Sequence, residues 1–334
     1  MLKRVAYGAA LRSGAFAALR WLYRTRVPIL CYHSIVADPL PPHVGERGGG
    51  LHLVAERFRE QLRFLQGHYR VVRFEEMLDN PSPRSVVLTF DDGYVDNVSV
   101  AAPILAEFGF PATIFLATDY LGTRLFWWDE LCLRLAAQEG RTLEPGKDWG
   151  RMDLTSPAGV GAALTRGDAL LRAATLAERA RLFTLLGGDA ATTTTLAKAL
   201  RPATWDECRA APEGLRFGGH GAAHRLLGAI STEEARLDVE CCARTLRNEL
   251  GTRAVPVFCY PAGQWTSEVR AALRAARFRA AVLAGPLRAD QRLARRGDDP
   301  FLIPRVGVPA QLSAAAFAGS LAGVRSMFSA AGER

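Results

Sequence analysis

Short apolar runs recur along the chain, each followed by a longer stretch whose apolar residues fall three and four apart. The runs VPILCY (27–32), RVVRF (70–74), SVVLTF (85–90), ATIFLA (112–117), LRFGG (215–219), PVFCY (256–260), AAVLA (280–284) and FLIPRVGV (301–308) predict strands. The stretches 55–68, 96–109, 231–250 and 267–278 predict helices between them. The third of these opens on Ser231 with Glu234 three residues later, a capping box. Strands alternating with helices predict an α/β fold with a parallel sheet, either a barrel or an open sheet.

The alternation stops at residues 120–214, which are rich in Ala, Thr and Leu. This stretch predicts a mainly helical insertion in a body that spans 27–310. Its early segment LFWWDEL (125–131) holds adjacent tryptophans, Trp127 and Trp128, either core packing or a platform for a sugar ring. Residues 311–334 predict a C-terminal helix, from Leu312 to Phe328. Residues 1–26 predict a basic N-terminal helix, with Leu2, Val5, Ala9, Phe16, Leu19 and Tyr23 along one side. Arg12 and Arg20 interrupt its apolar stretch, so it reads neither as a secretory segment nor as a membrane span. A helix of this kind docks on the protein's own surface or lies on an anionic membrane.

The composition is that of a globular protein, 49% apolar and 23% charged, with a net charge of +8. The excess is dispersed arginine, and no nucleic-acid-binding motif accompanies it. The six cysteines, Cys31, Cys132, Cys208, Cys241, Cys242 and Cys259, form no CxxC pair and read as buried thiols of a reducing compartment.

Two polar clusters interrupt the apolar pattern. The strand SVVLTF runs into Asp91 and Asp92, followed by Gly93. Adjacent carboxylates at the mouth of a core repel each other and resist desolvation, and a cation would offset both costs. The second cluster, FGGHGAAH, places His220 and His224 after a later strand, and their spacing predicts one face of a helical turn. Both clusters thus fall at the carboxyl edge of the sheet, where parallel α/β folds carry their sites. Two imidazoles and one carboxylate leave an open coordination position, as in a catalytic zinc site or a non-haem iron oxygenase. The spare carboxylate favours hydrolysis, in which a base takes a proton from water.

TFDDGY, HGAAH and FCYPAG in succession resemble the motifs of the NodB-homology polysaccharide deacetylases, carbohydrate esterase family four. PILCYHSI and FREQLRFLQGHYRVV are similar to the N-terminal signature of many members. The resemblance covers roughly residues 27–118 and 215–310. It implies a distorted (β/α) barrel and metal-dependent removal of N-acetyl groups from N-acetylhexosamine units of a glycan or lipid-linked precursor. It also implies that Asp91 is the general base and that Asp92, His220 and His224 hold the metal. Zinc is the default ion, with cobalt, nickel or iron able to take the same donors.

The sequence departs from the family pattern in several places. Gly221 stands where Ser or Thr usually follows the first histidine. Cys259 stands where an arginine usually steadies the base, and Arg305 at another strand end is a candidate to replace it. Ala262 stands where a tyrosine usually offers its backbone N–H to an oxyanion, which any residue can do. The late Leu-x-His motif that supplies a general acid is absent, and no histidine follows His224. Of the remaining histidines, His43 lies in a loop, and His52 and His68 flank a surface helix. His33 follows the first strand and would emerge beside Asp91, with Ile29 and Leu30 packed inward, so His33 is the candidate acid. Without a secretion signal the expected location is cytoplasmic, peripheral at the inner membrane surface. The competing readings are a hydrolase of a non-sugar linear or cyclic amide and a catalytically inactive glycan-binding relative.

Overall fold

The computed structural model describes residues 15–40, 50–188, 195–283 and 293–323. Its strands are β1 (Val27–Tyr32), β2 (Ser34–Val36), β3 (His52–Val54), β4 (Arg70–Val71), β5 (Ser85–Phe90), β6 (Ala112–Leu116) and β7 (Thr142–Leu143). They continue with β8 (Met152–Asp153), β9 (Leu215–Gly219), β10 (Ala254–Cys259), β11 (Ala280–Val282), β12 (Leu293–Ala294) and β13 (Val306–Gly307). A parallel path runs β11-β10-β9-β6-β5-β1. The segment around β13 joins its ends: Ile303 bridges to Val282, and Val306 pairs with Leu30. The result is a distorted (β/α) barrel.

Alternation along each strand separates two cores. Ile29, Val87, Phe115, Val257 and Val282 fill the interior. Leu30, Leu88, Phe90, Ile114, Phe217 and Phe258 face outward under the helices. Both faces are apolar because both are covered, as parallel sheets require. Ile29 and Leu30 therefore cannot both pack inward: Ile29 does, and Leu30 lies under the helices.

The helix Ala55–His68 buries Phe58, Leu62 and Leu65 on one stripe. The helix Thr232–Leu250 carries the predicted box, with Ser231 and Glu234 each bonding the other's backbone N–H. Two predicted strands are much shorter than expected. The first ends at Val71, and Phe74 opens a helix, Phe74–Asp79, whose Phe74 and Met77 plug the barrel interior. In the second, Pro304 has no N–H to donate, and only the bridge at Ile303 and the pair Val306–Gly307 form.

Between β6 and β9, which pair directly, the described residues form five helices from Trp127 to Ala210 and the antiparallel pair β7–β8. Trp127, Leu131, Trp149, Leu171 and Phe183 form a core of their own there. At the N-terminal end the described helix is Ala15–Leu22, with Trp21 and Leu22 exposed. The helix Ala314–Leu321 lies at the other end, and the expected continuation to Phe328 lies beyond the described residues. No helix among the described residues is long and apolar enough to cross a membrane.

Candidate active site

The inward side of β5 continues from Val87 through Thr89 to Asp91, so Asp91 reaches into the barrel mouth. Its backbone N–H donates to Tyr32 O at 2.9 Å, which holds the strand end against β1. The chain then reverses: Asp92 has φ 73° and Gly93 φ 89°. A Cβ at Gly93 would sit 2.6 Å from Leu116 Cδ2, so only glycine fits the turn. The reversal sends the two carboxylates to different neighbours.

Asp91 meets Arg305, whose Nη1 and Nη2 donate to its two oxygens at 2.7 and 2.6 Å. Arg305 is itself fully buried and donates from Nε to Leu283 O at 2.9 Å and from Nη1 to Thr89 Oγ1 at 3.0 Å. The thiols of Cys31 and Cys259 lie 3.4 and 3.5 Å from Asp91 Oδ2. Burial alone would raise the Asp91 carboxyl, but the Arg305 charge and hydrogen bonds outweigh it and hold Asp91 well below the usual carboxylate range. His33 Nε2 stands 4.0 Å from the same Oδ2, with His33 partly open to the cavity. Its backbone is fixed by Asn97, whose Nδ2 donates to His33 O at 2.6 Å. Burial lowers the His33 imidazole, and the Asp92 and Asp91 charges offset part of that.

Asp92 meets the histidines. Its Oδ1 is 3.4 Å from His220 Nε2 and 3.3 Å from His224 Nε2, and these donor atoms lie within 4.8 Å of one another. His220 Nδ1 is 2.8 Å from Cys259 O, so that nitrogen carries the proton and Nε2 is left free to act as a donor atom. This set of two imidazoles and a carboxylate fits a divalent metal. Asp91 also lies near Cys31 and His33, and near His220 and Cys259. Its carboxylate is already held by a guanidinium, which would repel a cation there.

The histidine segment is not the helical turn its spacing predicts. Gly221 has φ 77° and His224 φ 50°, both left-handed. Asp238, on the helix Thr232–Leu250, accepts from Ala222 N at 2.7 Å and Ala223 N at 3.1 Å. Those bonds hold the segment as a loop. A Cβ at Gly221 would approach Asp238 Oδ1 to 2.8 Å, which accounts for glycine where Ser or Thr is usual. Asp238 escapes motif reading, although an acid on the buried stripe of Ala235, Val239 and Cys242 is a signal in the sequence.

A cavity of about 330 Å³ gathers His33, Asp91, Asp92, His220, His224 and Ala262. Ala262 has φ 50°, inside the turn Pro261–Gly263 after β10. The segment between β6 and β9 adds Trp127, Trp128, Asp168, Arg172 and Arg179 to the same wall. Trp127 is buried in that segment's core. Trp128 stacks on Phe126 at 4.7 Å, donates to Tyr94 Oη at 2.8 Å and lies 5.0 Å from the His224 ring. His52 is not a loosely held flanking residue: it is buried, with Nε2 3.3 Å from Asp129 Oδ1. His68 is exposed, and His43 lies outside the described residues.

The family model described as Polysaccharide deacetylase matches residues 79–281, and the chain belongs to that family, with the NodB-homology motifs in place. The curated relative YxkH of Bacillus subtilis (strain 168) is 31% identical over 126 residues, covering 36% of this chain and 41% of the relative. The aligned part is therefore under half the relative's length. Among solved structures, the Streptococcus pyogenes deacetylase PplD in complex with acetate is similar with TM-score 0.57 and 16% identity, over 89% of this chain and 98% of that one. The de-N-acetylase from Aggregatibacter actinomycetemcomitans is similar with TM-score 0.57 and 14% identity, over 89% and 100%. At these identities the structural likeness concerns the fold.

Proposed function

We propose that the protein is a metal-dependent N-deacetylase that removes acetyl groups from N-acetylhexosamine units of a glycan or lipid-linked glycan precursor. The observation that carries this reading is the convergence of Asp92, His220 and His224 beside an independent carboxylate, Asp91, on one cavity wall. Asp92, His220 and His224 would hold the ion, with zinc the default and cobalt, nickel or iron fitting the same donors. Held there, a divalent ion would supply Lewis acidity toward the acetyl carbonyl and the attacking water.

The chain's own residues supply the rest. Asp91 takes the proton from water, while Arg305 keeps it ionised and aimed into the cavity. The backbone N–H of Ala262 donates to the oxygen that gains charge as the carbonyl is attacked. The amide C–N bond then breaks, and His33 protonates the departing amine; acetate and a free amino sugar are the products. Exposed Trp21 and Leu22, next to Arg24 and Arg26 in the chain, favour a peripheral contact of this end of the protein with an anionic membrane, which we place at the inner membrane surface as part of the same proposal.

The test is product release by wild type, Asp91→Asn and His33→Ala on an N-acetylated oligosaccharide and on an activated aryl acetate. Asp91→Asn should keep its metal and lose about 10²–10⁴-fold on both substrates. His33→Ala should slow the amide far more than the ester, whose leaving group needs no proton. Near-wild-type turnover by Asp91→Asn, or equal losses on both substrates for His33→Ala, would remove those roles.

A further inference from the structure

The lining of the same cavity contains a buried cation that no carboxylate among the described residues matches. Arg179, on the helix Leu176–Leu186, lines the cavity at only 7% exposure. Its Nε donates to Leu171 O at 2.8 Å and its Nη1 to Tyr120 Oη at 3.3 Å. Its guanidinium carbon stands 5.3 Å from the Trp127 ring centre. Among the described residues it has no ion-pair partner. The neighbouring arginines differ: Arg172 is half exposed and paired with Asp168 at 2.6 and 3.1 Å, and Arg225 is paired with Glu234 at 3.0 Å. Asp168 also lines the cavity, but its charge is taken by Arg172.

A buried guanidinium without a counter-charge is costly, and the neutral acceptors on Arg179 leave that cost only partly offset. Burial lowers its proton affinity; Tyr120 restores part, and Arg225 and Arg172 deepen the deficit. An oxyanion in the cavity would supply the missing charge. Arginine suits this task, because its planar fork meets the two oxygens of a phosphate or carboxylate together. The path from the histidines is continuous: His224 to Trp128 is 5.0 Å, Trp128 to Trp127 is 5.4 Å, and Trp127 to Arg179 is 5.3 Å. Arg179 and the histidines also line one cavity of about 330 Å³, so a substituent on the acetylated sugar or on the unit beside it is the group that would meet Arg179.

We propose that Arg179, with Arg172 beside it, forms an anion subsite, and that the substrate glycan carries a phosphate or carboxylate next to the N-acetylated sugar. The proposal rests on the deacetylase reading of the same cavity and narrows its substrate class. Charge-assisted hydrogen bonds of this kind correspond to about 10–100-fold in affinity.

The test uses three probes: an N-acetylhexosamine 1-phosphate, a disaccharide of N-acetylhexosamine and a uronic acid, and a neutral N-acetylhexosamine disaccharide. Binding is measured by calorimetry on the metal-loaded Asp91→Asn protein, and acetate release on wild type. At least one charged probe should bind about 10–100-fold more tightly than the neutral one, and its advantage should shrink with added salt. Whichever charged probe wins identifies the source of the anion. The advantage should collapse in Arg179→Gln and return in part in Arg179→Lys. Arg172→Gln, at a half-exposed position, should diminish it without threatening the fold. Equal binding of all three probes, or an advantage unchanged in both Arg179→Gln and Arg172→Gln, would overturn the subsite and leave Arg179 a structural residue. Selective binding without acetate release from any probe would instead sink the deacetylase reading and leave the subsite standing. Acetate release with no preference for charge would do the reverse.

Discussion

Asp91 and Arg305 form a fully buried pair, so removing one partner leaves the other's charge uncompensated. Arg305→Met would leave a carboxylate in the barrel mouth with only thiols and the imidazoles of His33 and His220 near it. The expected loss is about 3–5 kcal/mol of stability, because an uncompensated buried charge is left behind. Asp91→Asn removes the charge that Arg305→Met strands, so the double variant should lose clearly less than the sum of the singles. Urea unfolding of the four proteins checks this; additive losses would mean that the bidentate contact carries little energy. At this scale the sequence was unevenly legible. Asp91, Asp92, His220 and His224 stand out because they are polar residues at the ends of apolar runs. Arg305 was visible only as a candidate, since a run broken by Pro304 does not reveal which way its arginine points. Asp238 was missed because its role is to accept from the backbone of Ala222 and Ala223, which leaves no motif, and its only mark is an acid on the buried stripe of its helix.

Elements with a local cause were read well. Continuous apolar runs marked the barrel strands, and Ser231 with Glu234 marked a helix start that the structure contains. The structure adds boxes at Thr175 with Glu178 and at Thr204 with Glu207. The last of these is tied to Arg201, which donates to both Glu207 oxygens, and Glu207 also accepts from Thr204 N at 2.7 Å. Hydrogen bonds from Arg201 lead the effect, burial opposes it, and Thr204 adds to it, so Glu207 titrates at about 2 instead of 4.5. A lowered carboxylate contributes stability above its ordinary value, and that contribution is lost as the pH falls from about 4.5 to about 2. Glu207 is about one-third exposed, so solvent screening limits the gain to about 1 kcal/mol. Glu207→Gln keeps the cap but not the charge. Wild type should therefore be the more stable at pH 7, and the difference should vanish towards pH 2. Unfolding measured across that range decides it; a difference independent of pH would contradict the ionic origin. The histidine loop was misread at this scale, because i, i+4 spacing suits a helix and only the contact with Asp238 overrides it.

At the scale of the whole molecule, segments far apart in the chain meet at one barrel mouth, from Cys31 and His33 through Asp91 to His220, Cys259 and Arg305. That convergence was legible because parallel strands deliver their carboxyl ends to one edge. The contribution of Trp128, Arg172 and Arg179 was not, because no sheet rule places the helices between β6 and β9 over the mouth. The central claim is that the Asp92, His220 and His224 triad holds an ion on which amide hydrolysis depends. The most direct measurement is acetate release from an N-acetylated oligosaccharide as a function of metal bound per chain, with zinc returned stepwise to chelated protein. Activity should rise in proportion to bound metal and saturate near one ion per chain, and His224→Ala should show neither tight binding nor turnover. Full acetate release from metal-free protein, or a His224→Ala protein that binds and turns over like wild type, would contradict it.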